Sequence, residues 1–249
     1  IVCLKSLGAV RRRQVLDQIS ACGAQIRLLP AITDLARGRS LASQVRDIDI
    51  ADLLGRSIVE ADVSLLTQTI AGKTVLVTGA GGSIGSELCR QIIRLRPARL
   101  VLLEANEHAL YQIDRELRPL TEVPIEARLG SVAHPETVAR VFREQAITTV
   151  FHAAAHKHVP LVEANPIEGI RNNVIGTRVL AAAAFEAGVE RFVLISTDKA
   201  VEPSSVMGAT KHWGEVIVQN FARMAREQTR DQRFCAVRFG NVLGSRGSV

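Results

Sequence analysis

The stretch Lys73–Gly85, which reads KTVLVTGAGGSIG, decides the fold. It begins with an apolar, β-branched run that ends at Thr78 and continues into a glycine-rich turn. The segment Ser83–Arg94 then places apolar residues at helical spacing. A strand, a glycine turn and a helix in this order predict the first βα unit of a parallel sheet.

Runs of apolar, β-branched residues recur along the rest of the chain. Each run is separated from the next by a segment long enough for a helix, such as 107–120. Alternating strands and helices predict a doubly wound parallel α/β sheet with right-handed crossovers. The further strands are expected at ARLVLLE (98–104), IEARL (125–129), TTVFHAAA (148–155), RFVLIST (191–197) and RFCAVRFG (233–240).

The region before this sheet has a different character. A helix near 11–22 and a strand over 24–29 indicate that residues 1–45 are the end of a small upstream α/β domain. A polar, weakly periodic run over 46–70 reads as a linker that packs on the next domain. The sheet domain is expected to occupy 71–249.

Composition narrows the class of protein. The chain has 249 residues and a net charge of +6, yet basic and aromatic residues do not interleave as they do in single-stranded nucleic-acid binders. We therefore expect no nucleic-acid partner. No apolar run approaches the roughly 18 residues that span a bilayer. Four cysteines without a C-x-x-C pair favour buried free thiols in a reducing compartment: Cys3, Cys22, Cys89 and Cys235.

The glycine turn has the features of a phosphate-binding loop. Gly79 permits a tight turn, Gly82 lets the backbone approach a pyrophosphate, and Gly85 lets the helix pack close to the strand. The amides at the helix start, including Ser83 and Ile84, face the phosphates with the positive end of the helix dipole. The sequence thus predicts a dinucleotide site here.

Glu104 indicates which dinucleotide binds. It ends the second predicted strand, where a carboxylate binds both ribose hydroxyls and repels a 2′-phosphate. No arginine follows it directly, so NAD is favoured over NADP. The alternative is an ordinary turn followed by a surface glutamate.

The stretch Ser196–Glu215, STDKAVEPSSVMGATKHWGE, raises a question about catalysis. In nicotinamide enzymes of this architecture a tyrosine usually precedes the helical lysine by four residues and handles a proton. That position holds Met207, four residues before Lys211. The only tyrosine, Tyr111, is followed at that spacing by Arg115. Either the protein does no chemistry, or other groups carry the protons.

Five segments together resemble one family. The resemblance is to the nucleotide-sugar 4,6-dehydratases of bacterial polysaccharide biosynthesis, which are extended short-chain dehydrogenase/reductases with a Rossmann fold. It runs from about Asp47 to Val249, and STDKA with MGATK resembles the long, membrane-anchored branch that acts on UDP-N-acetylglucosamine. Methionine in place of tyrosine belongs to that resemblance. The segments are TGAGGSIGSEL, FHAAAHKHVPLVEANP, NNVIGT, STDKAVEPSSVMGATK and VRFGNVLGSRGSV.

The resemblance implies a redox-neutral reaction in which hydride leaves C4 of the sugar, water is eliminated across C5 and C6, and hydride returns to C6. It implies that Asp198 is the general acid at the C6 hydroxyl and Lys199 the general base at C5. It also implies that Lys211 holds the nicotinamide ribose, while Met207 shapes the pocket. The acceptor of the C4 hydroxyl proton stays open between Thr197, a water and Asp198 acting twice.

Further site residues follow from the resemblance alone. The cofactor is expected to contact Ser131, Val132, Ala153, Ala154, Ala155, Lys157 and Asn172. The substrate is expected to contact Lys157, His158, Asn241, Ser245, Arg246 and Ser248. The family usually has Gly-Asp-Val where this chain has Gly-Ser-Val, so Ser131 loses one charge-assisted contact. Three nearby histidines have no cysteine among them, and we expect no metal: His152, His156 and His158.

The resemblance also implies a setting for the protein. The expected partners are a UDP-sugar substrate, the membrane through segments upstream of Ile1, and, as one option, a second copy of the chain. The expected location is the cytoplasmic face of the bacterial inner membrane, and the C-terminal substrate-binding part is expected to lie beyond Val249. Two alternatives stay open, a nucleotide-sugar epimerase and a non-catalytic NAD-binding regulatory protein. The Asp198–Lys199 pair argues against the epimerase, which needs no elimination pair. A regulatory protein would have no reason to retain Asp198, Lys199 and Lys211 together.

Overall fold

A computed structural model describes residues 62–242, together with the backbone of two short strands nearer the start of the chain. The chain divides into two compact units, 1–61 and 62–249. In the first unit, Arg27–Leu28 and Arg46–Asp47 form two-residue strands that pair antiparallel. The first of these lies within the strand predicted over 24–29, while the helix predicted near 11–22 lies outside the described residues.

The second unit opens with helix α1, Val63–Ile70, within the range expected to be a linker. The Asp62 carboxylate caps this helix by accepting hydrogen bonds from the amide of Ser64 at 2.9 Å and the amide of Leu65 at 3.3 Å. The helix ends at Ile70, whose side chain is buried.

The centre of the second unit is a six-stranded parallel sheet. Its order is β3-β2-β1-β4-β5-β6, so the direction of winding reverses between β1 and β4. The predicted doubly wound parallel sheet is therefore confirmed. The strands are β1 (Thr74–Thr78), β2 (Arg99–Glu104), β3 (Ile125–Leu129), β4 (Thr149–His152), β5 (Arg191–Thr197) and β6 (Arg233–Phe239).

Helices connect the strands, and two elements end three residues before their predicted boundaries. The helix expected over 107–120 turns into a 3₁₀ segment at Arg118–Leu120, because Pro119 has no amide hydrogen to continue it. The strand expected over 148–155 ends at His152, where the chain turns into the site. The helices are α2 (Ser83–Arg94), α3 (Glu107–Leu117), α4 (Pro135–Glu144), α5 (Val159–Ala164), α6 (Pro166–Gly169), a π-helical turn (Ile170–Ile175), α7 (Gly176–Glu186) and α8 (Val206–Glu227).

Both faces of the sheet are covered, which explains why its strands read as continuous apolar runs. On β1, Val75 and Val77 pack into the cluster that contains residues of α2 and α3, while Leu76 packs into the cluster that contains residues of α7 and α8. Fully burying one such side chain contributes about 1.5–3 kcal/mol. The core therefore fixes the carboxyl ends of the strands, where ligands bind in such sheets.

Two observations bear on the predictions from composition. Cys89 is a buried free thiol, as expected, but Cys235 lies exposed on the edge strand β6, so its predicted burial is wrong. Within the described part of the chain, no helix is both long and apolar enough to cross a membrane.

Candidate active site

The glycine turn joins β1 to α2 beside the point where the sheet reverses its winding. Gly79 has a φ of +64°, and a Cβ atom on it would lie 2.7 Å from the backbone of Ala154. A Cβ atom on Gly85 would lie 2.0 Å from the carbonyl oxygen of Gly79. No larger residue fits at either position without moving backbone, so the turn and the helix start are fixed by contact.

A cleft of about 310 Å³ opens between this turn and the ends of β2 and β3. Glu104 anchors it, because its carboxylate accepts hydrogen bonds from the amides of Gly81 and Asn106, each at 3.0 Å. Ser131 follows the end of the neighbouring strand β3, and its hydroxyl accepts from the amide of Ala133 at 3.1 Å. The predicted residues that line this cleft are Gly79, Gly82, Glu104, Ser131, Val132, Ala153, Ala154, Ala155 and Asn172.

A second cleft of about 480 Å³ adjoins the first and shares part of its wall. It lies between the start of α2 and the segment that runs from β4 into α5 and α6. Apolar side chains such as Leu161 and Val162 contribute to its lining beside polar ones. The predicted residues that line it are Gly82, Ser83, Ile84, Gly85, Ala153, Ala155, Lys157 and His158.

His152, at the end of β4, is fully buried between two hydroxyls. Its Nδ1 lies 2.7 Å from Oγ1 of Thr78, and its Nε2 lies 2.9 Å from Oγ1 of Thr177. The Thr177 hydroxyl donates to the carbonyl of Asn173 at 2.6 Å, so it accepts from His152, which places the ring proton on Nε2. Burial, aided by the charge of Lys211, lowers the pKa of His152 to about 3. The ring is therefore neutral and ties β1 to the helices.

Asn173 extends this buried network to the segment that lines both clefts. Its amide nitrogen donates to the carbonyl of His156 at 2.9 Å and to the hydroxyl of Thr210 at 3.0 Å. Its oxygen accepts from the amide of His156 at 2.8 Å and from the side chain of Asn172 at 3.0 Å. The loop before α5 is thereby held to α8.

The predicted acid and base lie together at the end of β5. Nζ of Lys199 donates to Oδ1 of Asp198 and to Oδ1 of Asn241, each at 3.1 Å. The hydroxyl of Thr197 donates to Oδ1 of Asp198 at 3.0 Å. The hydrogen bond from Lys199, followed by that from Thr197, lowers the pKa of Asp198. Both charged side chains stay about half exposed, at 55% and 46%.

Lys211 and Met207 lie behind this pair on α8, and both are buried. Nζ of Lys211 donates to the carbonyl of Ile195 at 2.6 Å. Burial lowers the pKa of Lys211 to about 8, against the stabilising charge of Glu215 one turn further along the helix. Met207 places no titratable group beside the lysine.

Glu215 anchors the ends of two strands. Its carboxylate accepts from the hydroxyl of Ser196 at 2.5 Å and from Arg238 at 2.7 Å. These partners lie on β5 and β6, three residues or fewer from Lys199 and Asn241. Burial alone would raise the pKa of Glu215, but the hydrogen bonds from Arg238 and Ser196 outweigh it and lower the pKa. The carboxylate is thus ionised inside the fold.

The structure gathers most of the predicted site residues into two groups. One lines the paired clefts, and the other surrounds Asp198 and Lys199 at the end of β5. Ser245, Arg246 and Ser248 lie outside the described residues. Five residues that organise the site were not predicted for it from the sequence: Thr78, His152, Asn173, Thr177 and Glu215. The sequence could have predicted a role for Glu215, because a carboxylate four residues after Lys211 lies on the same face of a helix.

The three histidines considered as metal ligands, His152, His156 and His158, are not arranged around one point. Both ring nitrogens of His152 are occupied by hydroxyls, and the backbone of His156 is held by Asn173. Within residues 62–242, no group of three histidine, cysteine or acidic side chains has the arrangement of a metal site.

Comparison with known proteins places the chain in a family. Residues 75–249 match the family model described as "Polysaccharide biosynthesis protein". The probable polysaccharide biosynthesis protein EpsC of Bacillus subtilis is 43% identical over 251 residues, which cover all of this chain and 41% of EpsC. The chain thus spans about two fifths of the length of that relative.

More distant relatives carry two different activities in their names. A UDP-N-acetylglucosamine 4,6-dehydratase (inverting) of Campylobacter jejuni is 34% identical, covering 72% of this chain and 52% of that protein. A UDP-glucose 4-epimerase of Rickettsia canadensis is 32% identical, covering 71% and 51%. The solved structure of Pen from Bacillus thuringiensis superposes with a TM-score of 0.67 at 30% identity, covering 72% of this chain and 53% of Pen. With its family-model match and its doubly wound sheet, the chain belongs to the polysaccharide biosynthesis protein family, as the resemblance predicted.

Proposed function

We propose that this chain carries the NAD-binding catalytic centre of a nucleotide-sugar 4,6-dehydratase that converts UDP-N-acetylglucosamine to the UDP-4-keto-6-deoxy sugar. The product would serve the synthesis of a bacterial surface polysaccharide or glycan. The observation that carries the proposal is the Asp198–Lys199 pair, held at 3.1 Å at the carboxyl end of β5. An elimination needs an acid and a base side by side, and this pair supplies both.

The residues of the paired clefts fit NAD. The turn at Gly79 leaves the start of α2 open, and Gly82 at the cap position has no side chain to block the helix amides. Glu104 presents a carboxylate at the end of β2, where it suits ribose hydroxyls and disfavours a 2′-phosphate. The alanines at 153–155 form a wall without bulk. NAD, when bound, supplies reversible hydride transfer to and from the sugar.

Asp198 is suited to accept a proton before it donates one. Its pKa is lowered by the hydrogen bonds from Lys199 and Thr197, so it is ionised at neutral pH. The carboxylate takes the C4 hydroxyl proton as C4 is oxidised and gives it to the C6 hydroxyl as water leaves. Asp198 therefore acts twice, which fits the absence of a tyrosine at the position of Met207.

Lys199 can act as a base once its ion-pair partner, Asp198, has been protonated. Its ammonium donates to Asp198 and Asn241 before the reaction. Once Asp198 is neutral, the ammonium loses its counter-charge and releases a proton to solvent more readily. The amine then removes the C5 proton, the ammonium so formed exchanges its protons with solvent, and it protonates C5 when hydride reaches C6. The half-exposed position of the pair gives solvent the access that this step requires.

Lys211 supports the reaction without exchanging protons with the sugar. Its buried ammonium, bonded to the carbonyl of Ile195, provides positive potential beneath the site and donors for the nicotinamide ribose. Met207 fills the place of the tyrosine with an apolar side chain that is itself buried. Proton transfer at C4 therefore falls to Thr197 and Asp198.

Two other functions fit the fold but not this pair. An epimerase, the activity named for the relative from Rickettsia, transfers hydride at C4 and needs no acid and base beside C5 and C6. A non-catalytic NAD-binding regulatory protein needs the clefts alone. The placement of Asp198, Lys199 and Asn241 in one hydrogen-bonded group favours the dehydratase over both.

The setting of the whole protein belongs to the same proposal. The boundaries near 45 and 70, attachment to the cytoplasmic face of the inner membrane through upstream segments, a C-terminal substrate-binding part and a homodimer all follow from the resemblance. They concern the whole protein, and this chain spans 41% of the length of EpsC.

The test is nuclear magnetic resonance of UDP-N-acetylglucosamine incubated with NAD and the full-length protein that contains this chain. We expect a 4-keto-6-deoxy product from the wild type and none from Asp198→Asn or Lys199→Ala. Retained NAD binding in both variants would show that they fold. An unchanged substrate with the wild type, with NAD bound, would contradict the proposal.

A further inference from the structure

The acid–base pair lies on a short segment whose backbone is held by α8. Asp198 and Lys199 belong to a single 3₁₀ turn, Asp198–Ala200, between the end of β5 and the loop that leads into α8. Their side chains are about half exposed, so side-chain packing does little to fix them. Something else must set where the backbone of this turn lies.

Gly208 is in close contact with this turn. A Cβ atom at Gly208 would lie 2.5 Å from the carbonyl oxygen of Lys199, a distance that real Cβ contacts do not reach. The obstructing atom belongs to the backbone, so the clash cannot be relieved by rotating a side chain. The absence of a side chain at 208 therefore determines how closely α8 approaches Lys199.

The first turn of α8 is itself pinned. The hydroxyl of Ser205 caps it by accepting from the amide of Gly208 at 3.1 Å. The carboxylate of Glu163, on α5, accepts from the amide of Val206 at 2.6 Å. Because the helix start is held from two sides, the 3₁₀ turn is the part that must yield to a larger residue at 208.

His212, one helical turn after Gly208, holds the other end of the same turn. Its Nδ1 donates to the carbonyl of Ala200 at 3.0 Å. Gly208 and His212 thus lie on one face of α8 and contact two consecutive carbonyls of the segment that carries the acid and the base.

We propose that Gly208 and His212 are positioning residues that set the place of the Asp198–Lys199 pair. This inference rests on the proposed function for its effect on turnover, but the contact it describes is independent of the reaction. A displacement of about 1 Å in a catalytic group costs on the order of 100-fold in rate. The expected signature is lost turnover with substrate and cofactor binding preserved.

The test compares Gly208→Ala with Gly214→Ala in the full-length protein. Gly214 lies on the same helix, but a Cβ atom there would meet its neighbours at ordinary van der Waals distances: the side chain of Leu194 at 3.4 Å, the hydroxyl of Thr177 at 3.7 Å and the carbonyl oxygen of Asn173 at 3.8 Å. Alanine has the higher helix propensity, but a Cβ atom at 208 would also lie 3.3 Å from Oγ of Ser205, which caps α8, so the thermal midpoint of each variant is measured beside its kinetics. We expect Gly208→Ala to lower kcat by about 100-fold with KM and NAD affinity unchanged, and Gly214→Ala to leave all three near wild type.

A second variant pair tests His212. Replacement by leucine removes the donor, and we expect kcat to fall by about tenfold, the value of one lost hydrogen bond. Asparagine places an amide nitrogen close to the position of Nδ1, so His212→Asn should recover most of that loss. Equal losses in His212→Leu and His212→Asn would overturn the role assigned to the hydrogen bond.

A measurement that does not depend on turnover tests this inference independently of the proposed function. Acylation of Lys199 by an amine reagent, followed by mass spectrometry, reports how firmly its ammonium is held. We expect the rate to rise several-fold in Gly208→Ala and to stay at the wild-type value in Gly214→Ala. Unchanged labelling in Gly208→Ala, with the thermal midpoint retained, would overturn the inference. A missing product with the wild type would instead contradict the proposed dehydratase.

Discussion

The glycine turn and the proposed acid–base pair both lie at the carboxyl ends of the strands of one sheet, yet they are held in different ways. The turn is packed backbone against backbone, with a Cβ on Gly79 only 2.7 Å from Ala154. The neighbouring buried histidine, His152, is hydrogen-bonded on both ring nitrogens. Asp198 and Lys199 instead stand half exposed on a single 3₁₀ turn.

The difference in packing and exposure suits the two regions to different functions. For the dinucleotide that we propose binds in the first region, closely packed backbone is favourable, because little ordering is left to be done on binding. An acid–base pair that must exchange protons with substrate and solvent is served by partial exposure. The comparison predicts that changes in the first region alter cofactor affinity or stability, and that changes in the second alter turnover alone.

The largest effect is expected from Lys199→Met. Loss of a general base lowers kcat by about 1000-fold, within the usual range for such a group. The dissociation constant of NAD should stay at the wild-type value, because Lys199 lies outside the clefts. Titration with NAD beside a turnover assay checks both halves. The matched control is Lys73→Met, at the amino ends of the strands, where the lysine forms a partly exposed ion pair with Glu190. A kcat within tenfold of wild type in Lys199→Met would remove Lys199 from the mechanism.

Gly79→Ala should show the reverse pattern. A non-glycine residue at positive φ costs about 1–3 kcal/mol, and the clash with Ala154 adds to it, so NAD affinity should fall by about 100-fold. Gly72→Ala is the control, because Gly72 also has a positive φ, of +68°, but has open space around it. Calorimetric titration distinguishes the two. If both variants bound NAD equally well, the close contact between Gly79 and Ala154 would have no effect on NAD affinity.

His152→Leu should destabilise the fold by about 2 kcal/mol, since it leaves a buried hydroxyl of Thr78 without its acceptor. Its pH dependence is the sharper test. The pKa of His152 falls from an ordinary 6.5 to about 3 on folding, so the unfolded chain binds the extra proton between these values. The wild type therefore loses stability as pH falls from 6.5 towards 3, by up to about 1.4 kcal/mol per pH unit from this group.

In His152→Leu that contribution is missing, so the stability gap between wild type and variant should narrow as the pH falls. Urea unfolding at several pH values measures it. His108→Leu, at an exposed histidine, is the matched control for the loss of a histidine side chain. A gap that stays constant with pH would mean that His152 is not neutral in the folded protein.

The smallest effect concerns cofactor choice. Glu104→Gln keeps the shape of the side chain and removes the charge that disfavours a 2′-phosphate, so NADP affinity should improve relative to NAD by about tenfold. Glu107→Gln, on the exposed first turn of α3, serves as the matched change. Parallel titrations with the two dinucleotides give the ratio, and an unaltered ratio would separate Glu104 from cofactor selection.

The sequence predicts the sheet well because its strands are buried on both faces and read as apolar runs. β3 and β5 have the predicted boundaries, and α2 begins and ends as expected. The errors fall where local chemistry competes with pattern, as at Pro119, which ends α3 early, and at His152, where β4 stops.

Only those parts of the site that lie within short sequence motifs were predictable. Glycine spacing and the pairing of Asp198 with Lys199 are written in consecutive residues, and their roles stay predictions until tested. The link from Thr78 through His152 to Thr177 joins residues far apart in the chain, so no local pattern contains it. The same holds for Gly208 against Lys199, because a glycine in a helix gives no sign of what it touches.

The central claim is that Asp198 and Lys199 carry out an elimination across C5 and C6. The most direct test is proton magnetic resonance of UDP-N-acetylglucosamine converted in D₂O by the full-length protein with NAD. The account predicts a 4-keto-6-deoxy sugar with a C6 methyl group and deuterium at C5, formed by the wild type and absent with Lys199→Met. A C4 epimer that keeps its hydrogen at C5 and its hydroxyl at C6 would contradict the account.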